Sequence, residues 1–469
     1  MNGIKSAGMV ILVCPPIVFG KGKNFTYPFL GILYIATYLQ RNGIAVKVID
    51  SFVNGHTLSE LAEIILKENP SVVGFSAMSC QAKAVLEVAA ELKKRRPSLK
   101  IAVGGPHISS TKDEIFNFTK DIDFLFYGEG EESFYKFIIG GPLEEIDGLI
   151  YKNGDKIIIN SPPQLIRDLD GLPFPNFELI DIKKYDSFFA KSLPLASLMA
   201  SRGCPYSCIF CDAHLTHGKM LRLRTPSNIV DEIEYNYRKY GVKQLMFKDS
   251  DLTLNKNWVR EICSEINKRH IKITWTCNTR VDLVDEELFR TMKKSGCYMI
   301  SFGIESGSQR ILDAMRKGIT IEQIKTAISF CKRSGIEAMG YFMIGNPTET
   351  ENEARETIRF SQKLGLDLAT FGTTAAYPGT ELYKWAIDNQ ALPDRFWYMK
   401  RVAVSSDARE ASGNLNLKDF SPERQAKLVK EANKSFYFRP SYLLKYLLKI
   451  RTPYDVKRSV KSFRDLIKI

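Results

Sequence analysis

The sequence lacks the segments that would place the protein across a membrane. No apolar run approaches the roughly 18 residues that span a bilayer. The first residues, MNGIKSAGMVILVCPP, contain a short apolar stretch that soon meets Cys14, Pro15 and Pro16. They have neither the length nor the cleavage pattern of a secretory signal. We therefore expect a cytoplasmic protein, with at most peripheral contact at the inner face of the membrane.

Repeats of fixed period and low-complexity tracts are also missing, which excludes solenoid and fibrous architectures. The composition is globular, with 44% hydrophobic and 25% charged residues. A chain of 469 residues is too long for one ordinary domain, so we expect two or three.

Cysteines are too scattered for a disulfide framework. There are nine, an odd number, and only Cys204, Cys208 and Cys211 cluster, in the stretch SRGCPYSCIFCD (201–212). In a long intracellular chain this pattern indicates a metal site, with the other six cysteines as core thiols. A fourth cysteine is lacking nearby, although zinc and ordinary iron–sulfur sites usually take four protein ligands.

The net charge of +13 is not spread evenly along the chain. From 421 to 469, 13 Lys or Arg against four Asp or Glu leave a net charge of +9. Within this part, residues 435–469 combine aromatic residues and leucines with basic residues, in part at helical spacing. A basic amphipathic helix can lie on an anionic membrane, or it can dock on the core with a solvated basic rim. Nucleic acid is a weaker option, because no recognised module accompanies the charge.

The first 140 residues alternate two hydrophobic patterns. Short apolar runs predict strands at 9–14, 46–50, 72–76, 101–105 and 123–128, and helical periodicity predicts helices at 30–43, 57–69 and 82–96. Five strands separated by helices predict an α/β fold with a doubly wound, Rossmann-like parallel sheet. Ligands of such sheets bind outside the carboxyl ends of the strands.

The predicted carboxyl ends of these strands are rich in small and turn-forming residues. Glycine lets the backbone approach a ligand closely, although any αβ fold also needs tight turns at this edge. The residues are Ser76, Met78, Ser79, Gly104, Gly105, Pro106, His107, Gly128, Glu129 and Gly130.

A hairpin and a proline-rich connector follow. The segment 148–163 contains an Asn153-Gly154 turn, which is typical of a β-hairpin, and LDGLPFPNFELID is rich in proline. We expect a first domain at 1–145, the hairpin and connector at 146–190, a second domain at 191–400 and a helical basic region at 401–469.

The second domain repeats the alternation. Strands are predicted at 196–201, 243–248, 272–277, 298–304, 337–344 and 367–373, with helices between them. One helix begins at RTPSNIVDEI, where Thr225 can cap the amino terminus and Pro226 suits the first turn. Six βα units predict a partial parallel barrel of the TIM type, whose active site lies at the carboxyl ends of the strands.

The three cysteines directly follow the first strand of this barrel. Thiolates suit iron–sulfur clusters and zinc. Three cysteines can hold three irons of a [4Fe–4S] cube and leave the fourth iron open to an external ligand. The alternative is a zinc site completed by His214 or His217, although zinc motifs usually come as two separated pairs of ligands.

The cysteine triplet, with the aromatic Phe210 before its last member, resembles the signature of the radical S-adenosylmethionine (SAM) superfamily. The resemblance implies that the methionine amino and carboxylate groups of SAM bind the open iron. The cluster would then cleave SAM reductively to methionine and a 5′-deoxyadenosyl radical. An electron donor such as flavodoxin or ferredoxin would supply the electron.

Two barrel segments resemble the SAM-binding segments of that superfamily. FKDSDLT stands where the segment for the SAM amino group lies, with Asp249 and Asp251 in place of the usual Gly-Gly-Glu. In SFGIESGSQRIL, Glu305 resembles the residue that binds the ribose hydroxyls, and Arg310 could pair with the SAM carboxylate.

Two later segments, GYFMIGNPTET and TTAAYPGTEL, resemble the parts of the barrel that lie beside adenine. Their candidate residues are Gly345, Glu349, Ala376 and Tyr377. Arg280, in CNTRVDLV, is either polar lining or a salt-bridge partner.

A doubly wound domain ahead of such a barrel resembles the cobalamin (B12)-binding radical SAM enzymes, which include class B methylases, anaerobic Mg-protoporphyrin cyclases and hopanoid methylases. The resemblance implies that the small residues at the strand ends contact cobalamin. The Asp-x-His-x-x-Gly motif that gives cobalt a histidine in classical cobalamin domains is lacking, as it generally is in this subclass. Met78 or a neighbour is then expected near the lower face of cobalt, and His107 at the corrin edge.

The resemblance implies two roles for SAM. One molecule methylates cobalamin, and a second yields the radical that removes hydrogen from an unactivated substrate carbon, which then takes the methyl group. We expect a small-molecule or lipid-like substrate and a monomeric enzyme.

Three other functions are alternatives. Some members perform oxidative cyclisation or rearrangement without methyl transfer. A methylthiotransferase-like enzyme acting on RNA would carry a second set of three cysteines in its N-terminal domain, where only Cys14 and Cys80 lie. A corrinoid carrier or sensor is disfavoured by the missing histidine motif and by the cysteine cluster.

Overall fold

A computed structural model of the chain describes residues 8–17, 26–187, 190–399 and 413–447. These residues form two large sheets with helices packed against them. No helix within the described ranges is long and apolar enough to cross a bilayer.

The N-terminal sheet has seven strands. They are β1 (Val10–Cys14), β2 (Val46–Asp50), β3 (Val72–Ser76), β4 (Lys100–Gly104), β5 (Phe124–Phe126), β6 (Leu149–Asn153) and β7 (Lys156–Ile159). Their order in the sheet is β2-β1-β3-β4-β5-β6-β7, and the first five are parallel. The predicted hairpin is β6 and β7, and it pairs antiparallel with β5, so it extends this sheet.

Helices cover both faces of this sheet. They are α1 (Leu30–Arg41), α2 (Ser51–Asn54), α3 (Leu58–Lys67), α4 (Ala82–Arg95), α5 (Pro106–Thr111) and α6 (Glu131–Ile138). Since successive strand residues point to opposite faces, Val10 and Leu12 share a core with α1 and α6, whereas Ile11 and Val13 share one with α3 and α4. The predicted doubly wound fold is confirmed, with the flavodoxin-like order of parallel strands.

The second sheet is an open parallel barrel. The strands of this part of the chain are β8 (Leu195–Leu198), β9 (Ser201–Arg202), β10 (Arg222–Leu223), β11 (Gln244–Phe247), β12 (Thr274–Thr279), β13 (Cys297–Glu305), β14 (Glu337–Ile344) and β15 (Leu368–Thr373). Six of them form the barrel in the order β15-β14-β13-β12-β11-β8, and β9 and β10 form a separate antiparallel pair. The predicted partial barrel is confirmed.

Helices surround the barrel and follow its strands. They are α7 (Ala213–His217), α8 (Pro226–Tyr240), α9 (Lys256–Lys268), α10 (Glu286–Lys294), α11 (Gln309–Ala314), α12 (Ile321–Ser334), α13 (Glu351–Lys363), α14 (Glu381–Asp388), α15 (Pro422–Tyr437) and α16 (Pro440–Leu447). The predicted cap of α8 is present, since Thr225 accepts a hydrogen bond from the backbone N–H of Asn228 and Pro226 begins the helix.

Candidate functional site

The cysteine loop leaves the barrel between β9 and β10, which pair with each other and close its base. Cys204, Cys208 and Cys211 are all free and half-buried. The loop is held from both sides, because Ile209 donates its N–H to Met315 and accepts one from Leu382. All three cysteines therefore lie in one loop, which follows the first strand of the barrel, and their role as cluster ligands stays a prediction.

Burial raises the pKa of Cys204, and it raises the pKa of Cys211 to about 11. Within the described residues, no three His, Cys, Asp or Glu side chains converge on a single point as one metal ion would require. A [4Fe–4S] cube takes each cysteine on a different iron. The three loop thiols fit three irons of such a cube, whose fourth iron would then take an external ligand.

The two histidines of the zinc alternative do not complete the cysteine set. His217 Nδ1 lies 3.0 Å from Glu129 Oε1, across the boundary between the two domains. His214 is part of α7 and half-buried. The imidazole of His217 is therefore used to join the domains.

A large cavity lies at the carboxyl end of the N-terminal sheet. It encloses about 1280 Å³ of empty space, including its open mouth. Among the predicted cobalamin residues, those that line it are Ser76, Met78, Gly104, Gly105, Pro106, Gly128, Glu129 and Gly130. Gly105 has φ +95°, and a Cβ there would lie 2.8 Å from the backbone nitrogen of Ala77. Only glycine fits this turn at the cavity edge.

The remaining two predicted residues, Ser79 and His107, do not line the cavity. His107 is fully buried, with Nδ1 3.2 Å from Ser79 Oγ and its ring edge-on to Tyr398. Burial lowers its pKa to about 4, so the ring is neutral at pH 7. The structure thus places His107 behind the turn that begins at Gly105.

Sequence reasoning missed a large part of the cavity wall. The face of α1 contributes Leu30, Gly31, Tyr34 and Ile35, and the barrel domain contributes Met199, Arg202, Thr216 and His217. Gly31, in the otherwise bulky LGILYI, was the one sequence feature that could have indicated that α1 contributes to the cavity wall. Met199 and Arg202 precede the cysteine loop, and Thr216 and His217 lie within it, in α7, so the loop forms part of the cavity wall.

Two arginines at the base of the cysteine loop bind the N-terminal domain. Arg222 binds both carboxylate oxygens of Glu129, each at 2.8 Å, and Arg202 binds Glu131 at 2.6 Å. All four side chains are buried. Burial alone would raise the pKa of Glu129, but His217, Arg222 and Arg202 hold it well below its usual range. This buried ion network fixes the cysteine loop against the cavity.

The two aspartates that follow β11 are buried and already hydrogen-bonded. Asp249 accepts bonds from Ser201 Oγ at 2.5 Å and from the N–H of Ala200. Asp251 accepts bonds from Thr279 Oγ1 at 2.9 Å and from the N–H of Arg280. Burial raises the pKa of each to about 6. Both join neighbouring strand ends, and their role toward SAM stays a prediction.

Glu305 ends β13 at an irregularity in strand pairing and has φ +64°. Its Oε1 accepts a hydrogen bond from Lys317 Nζ at 2.9 Å, and both side chains are buried. Although burial by itself lowers the pKa of Lys317, Glu305 and Cys208 raise it above its usual value. Sequence reasoning missed Lys317. The ammonium lies 5.7 Å from the ring of Phe210, beside the cysteine loop.

Arg310 lies apart from this buried pair. Its guanidinium binds both carboxylate oxygens of Glu353, at 2.6 and 2.7 Å, and also the hydroxyl and carbonyl of Thr348. The side chain is 53% exposed. The guanidinium of Arg310 is therefore already bonded to residues at the start of α13. This arrangement does not favour the predicted contact between Arg310 and the SAM carboxylate.

The turn after β14 is built by Gly345 and Glu349. Gly345 has φ +87°, and its N–H donates to Glu349 Oε2 at 2.6 Å. The other oxygen of Glu349 is buried without a partner in the described residues. Burial raises the pKa of this carboxyl to about 7. Glu349 thus shapes the turn that the sequence predicted to lie beside adenine.

Ala376 and Tyr377 follow β15. Ala376 is fully buried, and its backbone is already used, since its N–H donates to Gly413 and its carbonyl accepts from Trp397 Nε1. Tyr377 is 41% exposed and lies edge-on to Trp397. Of the two, Tyr377 keeps a surface free for a ligand.

Arg280 is a salt-bridge partner, which answers the question left open by the sequence. It binds Asp282 through Nε at 2.9 Å and Nη2 at 3.0 Å. Its guanidinium also covers the ring of Tyr206 at 3.7 Å. Since Tyr206 lies between the first two cysteines of the triplet, Arg280 supports the cysteine loop.

Comparisons with known proteins agree with this arrangement. Residues 198–361 match the Radical SAM superfamily, and residues 18–138 match the B12 binding domain. An uncharacterized methyltransferase of Pyrococcus horikoshii is 34% identical over 459 residues, which cover 97% of each chain. The chain belongs to the radical SAM superfamily, in its cobalamin-binding subclass. It is a radical SAM enzyme, and its cofactors are a [4Fe–4S] cluster, SAM and cobalamin.

Other similar proteins are more distant from this radical SAM enzyme. The anaerobic magnesium-protoporphyrin IX monomethyl ester cyclase of Rubrivivax gelatinosus is 27% identical, over 76% of this chain and 66% of its own. The structure of the cobalamin-dependent SAM radical enzyme OxsB with aqua-cobalamin bound has a TM-score of 0.73 at 18% identity, over 97% of this chain and 71% of its own. At this identity the likeness shows the fold alone.

Proposed function

We propose that this enzyme is a C-methyltransferase that transfers a methyl group from cobalamin to an unactivated carbon of its substrate. One observation carries the proposal: one side of the cavity at the carboxyl end of the N-terminal sheet is formed by residues of the cysteine loop and of the strands just before it. Methyl transfer needs the cobalamin, the cluster and the substrate to meet, and a shared wall supports this.

The residues present fit both cofactors. Cys204, Cys208 and Cys211 would hold the cluster as thiolates, and the glycine-rich turns at the cavity would hold cobalamin. When bound, these groups supply reductive cleavage of SAM and a transferable methyl group. The chain itself contributes the buried ion pairs of Arg222 with Glu129 and of Arg202 with Glu131, which hold the two sites in a fixed relative position.

The decisive experiment is anaerobic reconstitution with iron, sulfide and cobalamin, followed by reductant and SAM carrying a labelled methyl group. We expect bound iron, 5′-deoxyadenosine and, when the substrate is supplied, a labelled product. Flavodoxin or ferredoxin should replace the chemical reductant. Label missing from the product would leave oxidative cyclisation or rearrangement as the reaction and contradict methyl transfer.

The cysteine variants have a matched control in this chain. Cys204→Ala, Cys208→Ala and Cys211→Ala should each lose most of the reconstituted iron. Cys80→Ala removes an equally half-buried thiol outside the loop and should retain it. If the loop variants bind as much iron as Cys80→Ala, the cluster assignment is wrong.

A lipid-like substrate and contact with an anionic membrane through residues 435–469 stay predictions. The described start of this segment packs on the barrel: Phe436 is fully buried against Phe371, and Tyr437 Oη donates to the carbonyl of Ala369. Residues 448–469 lie outside the described residues.

We expect the protein to be a monomer and to float with anionic vesicles at low salt. A variant that ends at residue 447 should lose this binding. Equal flotation of both proteins would contradict membrane contact through residues 448–469.

A further inference from the structure

Lys248 is a half-buried cation at the carboxyl end of β11 that pairs with no carboxylate among the described residues. Its ammonium lies 3.9 Å from the ring centroid of Tyr27, which belongs to the N-terminal domain. The hydroxyl of Tyr27 is bonded to Ser187. Since burying a charge without a partner is costly, this arrangement needs an explanation that the cluster and cobalamin sites do not give.

The side chain of Lys248 points into the barrel. Leu245 and Phe247 pack outward, in the core shared with the surrounding helices. Successive strand residues alternate faces, and the N–H of Lys248 continues the strand pairing by donating to Leu198 at 2.7 Å. Lys248 therefore follows Met246 on the inner side.

Two further polar groups inside the barrel have no hydrogen-bond partner in the described part of the chain. They are the hydroxyl of Ser197, which is fully buried, and the side-chain carbonyl of Asn278. Ser197 and Thr276 pair in register with Met246, on either side of it. Asn278, two residues beyond Thr276, thus lies in the layer of Lys248. One cation and two polar groups without a hydrogen-bond partner in the described residues therefore line the interior of the barrel.

We propose that Lys248 binds an oxyanion of the substrate, a carboxylate or a phosphonate or phosphate group, inside the barrel. The inference rests on the proposed function in one respect, because it takes the barrel interior as the substrate site. An oxyanion would supply the missing counter-charge, and a hydrogen bond between charged groups is stronger than a neutral one. The substrate of this enzyme is then an anionic small molecule.

The protonation state agrees with this role. Burial lowers the pKa of Lys248 to about 8, so most of the side chain is still charged at pH 7. Lys112 offers a matched control in this chain. Burial also lowers its pKa to about 8, and its ammonium covers the ring of Tyr127 at 3.3 Å, but it lies at the end of α5, outside the barrel.

The test measures binding of labelled benzoate and labelled phenylphosphonate to the full-length reconstituted protein by equilibrium dialysis at pH 7. Labelled benzamide is the neutral probe. We expect at least one oxyanion to bind more tightly than benzamide, and the two probes distinguish carboxylate from phosphonate substrates. Lys248→Met should weaken that binding by about tenfold or more. Lys248→Arg should restore most of it, because the guanidinium keeps the charge, and Lys112→Met should bind like the parent.

Two results would overturn the inference: benzamide binding as well as both oxyanions, or Lys248→Met binding the preferred oxyanion as well as the parent. Melting curves of each variant show whether the protein is folded. Neither dialysis nor melting needs SAM turnover. The iron content of the same samples is measured separately, so loss of iron with retained oxyanion binding contradicts the proposed function and leaves this inference standing.

Discussion

Arg222 binds both carboxylate oxygens of Glu129 at 2.8 Å, although the two residues lie in different domains and 93 positions apart. Arg222 ends the cysteine loop, and Glu129 lines the cavity at the carboxyl end of the N-terminal sheet. This pair directly connects the site expected to hold the cluster with the site expected to hold cobalamin.

Removing the charge of Glu129 should destabilise the protein. Glu129→Gln leaves the buried Arg222 without its counter-charge, which typically costs about 3–5 kcal/mol. We expect a lower urea midpoint and less cobalamin retained after desalting. Glu178→Gln removes a largely exposed carboxylate paired with Lys239 and should change the midpoint little. Equal midpoints for the two variants would show that the interdomain pair is not stabilising.

The same carboxylate predicts a pH dependence of stability. Its pKa is held below the usual range by His217, Arg222 and Arg202, against the effect of burial. A group with a depressed pKa in the folded state stabilises the protein above its unfolded pKa, and this stability is lost as the pH falls through the folded pKa. The unfolding free energy, measured by urea titration, should therefore fall below about pH 4.3. In Glu129→Gln the fall should be shallower, and an unchanged slope would contradict the assignment.

The buried pair of Lys317 and Glu305 should show strong coupling. Lys317→Met leaves a buried carboxylate unpaired, so we expect a loss of about 3 kcal/mol. The double variant Lys317→Met/Glu305→Gln should recover a large part of that loss, as measured by a double-mutant cycle. The neighbouring Arg316 pairs with Glu381 at the surface, and Arg316→Met should have little effect. Additive losses in the cycle would refute the coupling.

Gly203 should be essential to the cysteine loop. It has φ +95°, and a Cβ there would lie 2.1 Å from the carbonyl oxygen of Met220. Gly203→Ala should therefore lower both stability and reconstituted iron, because Cys204 is the next residue. Gly241→Ala is the control, since Gly241 has φ +65° but no atom within 4 Å of its added Cβ. The control should lose about 1–2 kcal/mol and keep its iron.

The cavity should be required for the binding of cobalamin but not for the binding of iron. Ala102 lines its wall from β4, and Ala102→Phe would fill part of the empty space. We expect this variant to retain much less cobalamin after desalting, as measured by absorbance, while its reconstituted iron matches the parent. Cobalamin retained at the parent level would mean that it binds elsewhere.

The sequence was informative wherever the determining interactions are local. Periods of two and 3.6 residues predicted the strands and helices, as in β3 and α4, because each face of these elements meets one environment. The small residues at Ser76, Gly104 and Gly128 line one cavity because the carboxyl ends of parallel strands meet at one edge of a sheet. The cysteine triplet could likewise be recognised from the sequence, because the spacing of the three cysteines places all of them in one loop.

What the sequence by itself determined is therefore the order of elements, the two-domain architecture, the cysteine triplet and the small residues at the carboxyl ends of the strands. Only the tertiary structure decided how the charged side chains pair: Arg310 with Glu353, Lys317 with Glu305, and Arg222 with Glu129. A charged side chain that is buried by packing pairs with whichever opposite charge the fold places close to it. No local pattern reports that partner, because the two residues meet only after distant elements have docked.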